Sequence, residues 1–176
     1  MKAIVIYSTL TGNTQKIAEA IAEVLPEGSP CVAVNDVPHD LDSYDLVFAG
    51  YWVDKGGPDK KSRELLGRLH NRHVALFATL GAYPDSEHAL KSLDKGAEAL
   101  PEGVCEAGRF ICQGKVSPKL VEAMAKRFPK EHPHGMNPER IKRLETADRH
   151  PDGQDCANAQ SFAREVLERL GHDCSA

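Results

Sequence analysis

Hydrophobic positions along the chain follow two alternating rhythms. Short, unbroken apolar runs recur, and between them the apolar positions spread to a spacing of three and four. The first run, Ala3-Ile4-Val5-Ile6-Tyr7, is short, β-branched and apolar throughout. It predicts a strand buried on both faces, as in a parallel sheet. From Thr14 the period changes: Ile17, Ile21, Val24 and Leu25 share one helical face, and Lys16, Glu19 and Glu23 lie off it. Pro26 and Gly28 end that helix. The pattern then repeats. Cys31-Val32-Ala33-Val34 predicts a weak second strand, Leu46-Val47-Phe48-Ala49 a strong third, residues 73–79 a fourth and Arg109-Phe110-Ile111-Cys112 a fifth. Helices are expected over residues 59–69 and 86–100, the latter capped by Ser86.

Strands alternating with helices imply an α/β fold, a doubly wound five-stranded parallel sheet inside a three-layer αβα arrangement. Right-handed crossovers suit the strand order 2-1-3-4-5. After the fifth strand the spacing predicts helices over residues 117–128, 139–147 and 155–170, with a Pro- and His-rich passage at 129–138. One helix suffices to cover the sheet there. Residues 115–154 therefore read as an insertion beside the carboxyl edge of a single domain spanning residues 1–176, where they could cover a ligand or form a docking surface.

Composition narrows the function classes. The 176 residues carry 22 Lys and Arg against 26 Asp and Glu, a net charge of −4, which argues against a nucleic-acid footprint. No apolar run approaches the roughly 20 residues of a membrane span, and residues 1–10 lack the features of a signal peptide, so the expected location is cytoplasmic. The five cysteines form no CxxC pair. Reduced thiols are expected, with Cys105 and Cys112 packed in or beside the fifth strand.

The chemistry concentrates in Ser8-Thr9-Leu10-Thr11-Gly12-Asn13-Thr14, between the first strand and the first helix. In a doubly wound sheet this turn lies at the carboxyl edge, where ligands bind. A helix N-terminus offers unpaired amides and a partial positive charge. Thr9, Thr11, Asn13 and Thr14 can add donors, and Gly12 lets the backbone curl closely around a ligand. Such a cradle suits a phosphate dianion without needing Lys or Arg. Neither GxxxxGK[ST] nor GxGxxG is present. The acidic pair that signalling receiver domains carry after their first strand is missing too: Tyr7-Ser8 stands there.

This strand ending in Tyr, with its Ser-Thr-Leu-Thr-Gly-Asn-Thr loop and amphipathic helix, resembles the FMN phosphate loop of the flavodoxin family. The resemblance covers the five strands and the last helix. It implies one non-covalent FMN, its phosphate on Thr9, Thr11, Asn13 and Thr14 and on the amides of residues 10–14, hence Leu10 and Gly12 as well. It also implies a flavin ring between two further loops. The first supplies Tyr51, Trp52, Val53, Asp54, Gly56 and Gly57; the second supplies Thr79, Leu80, Gly81, Ala82 and Tyr83. Tyr83 and one of Tyr51 or Trp52 are the aromatic candidates to stack on the ring. Two residues, Asp54-Lys55, separate this Trp loop from Gly56-Gly57, unlike small flavodoxins, in which the Trp lies closer to that glycine. Gly56 and Gly57 are the candidates for a peptide that turns over when the flavin changes redox state. The negative charge of Asp54, Asp59, Asp85 and Glu87 on these loops would lower the flavin potential, partly offset by Lys55 and Lys60.

The expected function is electron carriage to a transient redox partner protein. That partner would be a reductase or a flavin-dependent reductase, because the loops also look similar to those of flavodoxin-family proteins encoded with bilirubin reductases. Two rivals remain. One is a flavodoxin-fold oxidoreductase acting directly on a small substrate, of the NAD(P)H–quinone reductase or protoporphyrinogen oxidase type. The other is a non-redox phosphate-binding module. No metal is expected, because the spacing of His132, His134, His150 and Cys156 fits no standard ligand template.

Overall fold

The computed structural model describes residues 1–129, 132 and 135–173. In chain order the elements are β1 (Ala3–Tyr7), α1 (Asn13–Ala22), β2 (Cys31–Ala33), β3 (Leu46–Asp54), β4 (Gly57–Pro58), α2 (Lys60–Leu66), β5 (His73–Leu80), α3 (Glu87–Glu98) and β6 (Cys105–Gln113). Then come α4 (Pro118–Arg127), α5 (Pro138–Ala147) and α6 (Gly153–Asp173). A short 3-10 turn, Leu41–Ser43, precedes β3. The sheet order is β2-β1-β3-β5-β6, with every pairing parallel. That is the expected doubly wound order of five strands, with one addition: β4 folds back antiparallel on the end of β3.

Period-two alternation along the strands builds two cores. Ala3, Val5, Leu46, Phe48, Ala75 and Phe77 face α1 and α6, against Ile17, Ile21, Ala163 and Val166. Ile4, Ile6, Val47, Ala49, Val74 and Leu76 face the other side, against Leu65, Leu66 and Ala97 of α2 and α3. Both faces of the central strands are covered, which is why their sequences are apolar throughout.

Three sequence expectations are corrected by these elements. β3 runs nine residues, to Asp54, where the sequence suggested a strand ending at Ala49. Residues 51–58 are therefore a strand end and a hairpin rather than an open loop. Cys105 is exposed at the start of β6, while Cys112 is buried as expected. Asp59 is not on an open loop: it is buried, and its carboxylate caps α2 by accepting from the amides of Lys61 and Ser62. His134 of the Pro- and His-rich passage and Cys174 lie outside the described residues.

Candidate functional site

The loop after β1 delivers an uncapped helix. Gly12 occupies the N-cap of α1 in a left-handed conformation, φ +88°, and provides no side-chain cap. A Cβ at Gly12 would meet no atom within 4 Å, so the space over the helix end is open. The Gly12 amide donates to Thr9 Oγ1 at 2.9 Å, which curls the loop, and the first backbone bond of the helix is Lys16 N–H to Gly12 O at 3.0 Å. The amides of Asn13, Thr14 and Gln15 have no acceptor among the described residues. Three amide donors thus meet the positive end of the helix dipole, and no carboxylate lies in residues 9–14. That donor set fits a phosphate dianion.

Two of the expected side-chain donors turn elsewhere. Thr14 is buried, and its Oγ1 lies 2.9 Å from Thr79 Oγ1 at the end of β5. Asn13 Nδ2 donates to Lys115 O at 2.9 Å. Because α1 starts against the carboxyl ends of β5 and β6, these first helical side chains meet protein, and their contribution to an anion is left to their amides. Thr9 and Thr11 remain as hydroxyls on the loop.

Two clefts flank this loop. One, of about 90 Å³, is lined by Leu10, Thr11, Trp52, Val53, Thr79, Leu80 and Gly81, and by residues 114–117 and Leu120. The other, of about 310 Å³, is lined by Ser8, Thr9, Leu10, Trp52, Asp54, Asp59, Lys60 and Lys61. Leu10 and Trp52 border both and form the partition between them. Half-buried Trp52 is thus the aromatic side chain at the site.

Tyr51 is not. Alternation on the extended β3 sends it to the opposite face, where it is fully buried against Leu93 and donates its hydroxyl to Ser92 O at 3.1 Å. Burial also pushes its phenol pKa well up. Gly56 and Gly57 line neither cleft. Asp54 pairs with Gly57 and Val53 with Pro58, and the chain reverses through Lys55 and Gly56 at φ +50° and +79°. Two successive positive φ values make a tight hairpin turn. Both glycines are buried, and a Cβ on either would lie 3.2–3.3 Å from His88 or Lys95 of α3, which places the pair on that helix rather than over the loop after β1. Ala82 and Tyr83 are half-buried and border neither cleft; the Tyr83 carbonyl accepts from Ser86 N–H and Oγ–H.

Sequence reasoning missed two features. Beneath the second cleft, buried Ser8 donates to Asp59 Oδ1 at 3.0 Å and Ser62 to Asp59 Oδ2 at 2.8 Å, which locks the loop after β1 to the start of α2. The Asp-Lys-Lys-Ser run at 59–62 is a readable cap signal for that helix. The second feature is which residues make the wall: the sequence put residues 115–154 beside the carboxyl edge, where they could cover a ligand, but carries no local signal that Gly114, Val116 and Leu120 line this cleft. The cluster of His150, Asp152 and Asp155 is accounted for locally: Asp152 caps α6 through the amides of Gln154 and Asp155, and Asp155 lies 2.6 Å from His150 Nδ1.

Comparison with known proteins agrees with this fold. A family model described as a flavodoxin domain matches residues 4–164. The flavodoxin-like domain-containing protein BilS of Clostridioides difficile (strain CD3) is 37% identical over 171 residues, covering 95% of this chain and 97% of that protein. Oxidised flavodoxin 2 from Bacillus cereus superposes with a TM-score of 0.61 at 16% identity, covering 96% of this chain and 99% of its own. Fusobacterium nucleatum flavodoxin bound to flavin mononucleotide does so with a TM-score of 0.59 at 11% identity and the same coverage. No helix among the described residues is long and apolar enough to cross a membrane. A match to nearly the whole domain, to a relative over nearly its full length and to solved flavodoxin folds places this chain in the flavodoxin family.

Proposed function

We propose that the protein binds one FMN non-covalently and passes electrons to a transient redox partner protein. The observation that carries this reading is the uncapped N-terminus of α1, with three unpaired amides under open space in a loop free of carboxylates. When bound, FMN supplies reversible one- and two-electron transfer. The chain's own residues do the rest. The amides of Asn13, Thr14 and Gln15, with the hydroxyls of Thr9 and Thr11, would hold the phosphate. Trp52, Val53 and Leu10 would offer apolar surface to the ring. Thr79, bound to Thr14, fixes the start of α1 against β5 so that its amides converge.

The site lies at the surface. Leu10 on one rim is 59% exposed and Leu120 on the other is 45% exposed, so a docked protein could approach a ring edge there. A small contact of that kind suits transient exchange better than a permanent complex. The test is the absorbance spectrum of the purified protein after FMN loading, followed by anaerobic mixing with NADH or NADPH. The expected result is a flavin spectrum that persists until a reductase protein is added. Prompt bleaching by the nicotinamide alone would favour a reductase acting on its own, and a protein that takes up no FMN would end the proposal.

A further inference from the structure

The first cleft has a wall that a bare doubly wound sheet does not supply. β6 ends at Gln113, and Gly114 extends its pairing by donating to Leu80 O at 2.8 Å. The chain then crosses the carboxyl edge and enters α4. Along this crossing Val116 seats on Gly81, where an added Cβ would lie 2.4 Å from Val116 Cγ2. Leu120, on the first turn of α4, completes the wall facing Leu10, Trp52 and Val53. The segment is tied to the loop after β1 by Asn13 Nδ2 donating to Lys115 O, and to the far end of the insertion by Lys115 N–H donating to His150 O at 2.9 Å.

Two further observations bear on what fills the space between these walls. Leu10 and Leu120 are two of the five exposed large hydrophobics among the described residues, and both line one cleft, from the loop after β1 and from α4. Singly exposed leucines need no explanation, but a facing pair over an apolar slot does. The slot holds only about 90 Å³, and α4 buries none of its ten residues, so little packing resists its displacement. Meanwhile the aromatic expected from the loop after β5, Tyr83, lies off the cleft.

We propose that Val116 and Leu120 are flavin-ring contacts, so that the ring lies between Trp52 and Leu10 on one side and this aliphatic wall on the other. The inference rests on the FMN reading above. Binding widens the slot by displacing α4 outward, and Leu10 and Leu120 then add apolar cover to the ring beside Trp52, Val53, Leu80 and Gly81. The wall touches the ring and not the phosphate, whereas the amides at α1 touch the phosphate and not the ring.

That division gives the test. FMN and riboflavin are titrated, by flavin fluorescence and by quenching of the chain's single Trp, into the parent, Leu120→Asp, Thr11→Asp and Leu90→Asp. Leu90 is a similarly exposed leucine, on α3 and outside the cleft, and serves as the control. Leu120→Asp is expected to weaken FMN and riboflavin by the same factor, about tenfold or more, as a carboxylate replaces apolar contact. It should also make the bound flavin more accessible to iodide. Thr11→Asp, at the junction of the amide cradle and the slot, is expected to weaken FMN by a much larger factor than riboflavin, and Leu90→Asp to weaken neither. A Leu120→Asp variant with parental affinity for both flavins and parental iodide access would overturn the wall while leaving the FMN site standing. A parent that binds no FMN would overturn both.

Discussion

The sheet and residues 115–152 are held by different forces. Around the sheet, α1 and α6 on one face and α2 and α3 on the other bury Ile17, Ile21, Leu65, Leu66, Leu93, Ala163 and Val166 against strands that are apolar on both sides. Residues 115–152 are tethered mainly by polar contacts: Asn13 Nδ2 to Lys115 O, Gln113 Nε2 to Arg143 O at 3.5 Å, and Lys16 Nζ to Pro151 O at 2.6 Å, while Lys115 Nζ and Asp148 at 2.6 Å join the two sides of the segment itself. α4 buries no residue, and α5 buries only Arg140 and Ala147. Stability is therefore concentrated in the sheet. Residues 115–152 bury little and should loosen at smaller cost than the sheet, and residues 114–117 with Leu120 line the first cleft.

The sharpest way to break this contrast is to compare cavities. Phe77→Ala, fully buried at the middle of β5, is expected to cost about 3–5 kcal/mol in urea unfolding, whereas Leu120→Ala should stay within about 0.5 kcal/mol. Equal costs would mean that α4 belongs to the cooperative core. Asp59→Ala comes next. It removes the cap of α2 and strands the buried hydroxyls of Ser8 and Ser62, for an expected loss of about 2–3 kcal/mol by the same measurement. Asn13→Ala cuts a tether while leaving the α1 amides in place. It should cost about 1 kcal/mol or less, yet speed amide hydrogen exchange in residues 115–127 more than in α1.

The smallest expected effect is with pH. Burial pushes the Cys31 thiol up to about 11, and raises Cys112 and Tyr51 further. The unfolded thiol would lose its proton near 9 while the folded one keeps it. The stabilisation is therefore complete below pH 9 and is lost as pH rises from 9 toward 11. Denaturant midpoints should fall across that window, and Cys31→Ser should flatten part of the slope.

How much of this was legible varies with the range of the interaction. β1, the loop after it and α1 could be read because their signals are local: a short apolar run, a hydroxyl-rich turn, a period of three and four. The strand order followed from strand–helix alternation together with right-handed crossovers. The end of β3 was not read, because Gly50 interrupts the apolar run and Asp54-Lys55-Gly56-Gly57 follow soon after, although the chain stays extended to Asp54. Once the strand is carried to Asp54, Tyr51 must face α3, and Asp-Lys-Gly-Gly becomes a two-residue hairpin turn, a signal present in the sequence. The contacts that fix the site's shape are different in kind. Ser8 to Asp59 spans 51 residues and Asn13 to Lys115 spans 102, and nothing in either neighbourhood announces its partner.

The central claim is that backbone amides at the start of α1 grip a phosphate. The most direct measurement is the ratio of Kd values for riboflavin and FMN in the parent protein at fixed salt. Charge-assisted bonds from several amides should favour FMN by about 100-fold or more, with the preference collapsing in Thr11→Asp. Equal affinity for the two flavins, or an FMN preference that survives a carboxylate placed in that loop, would contradict it.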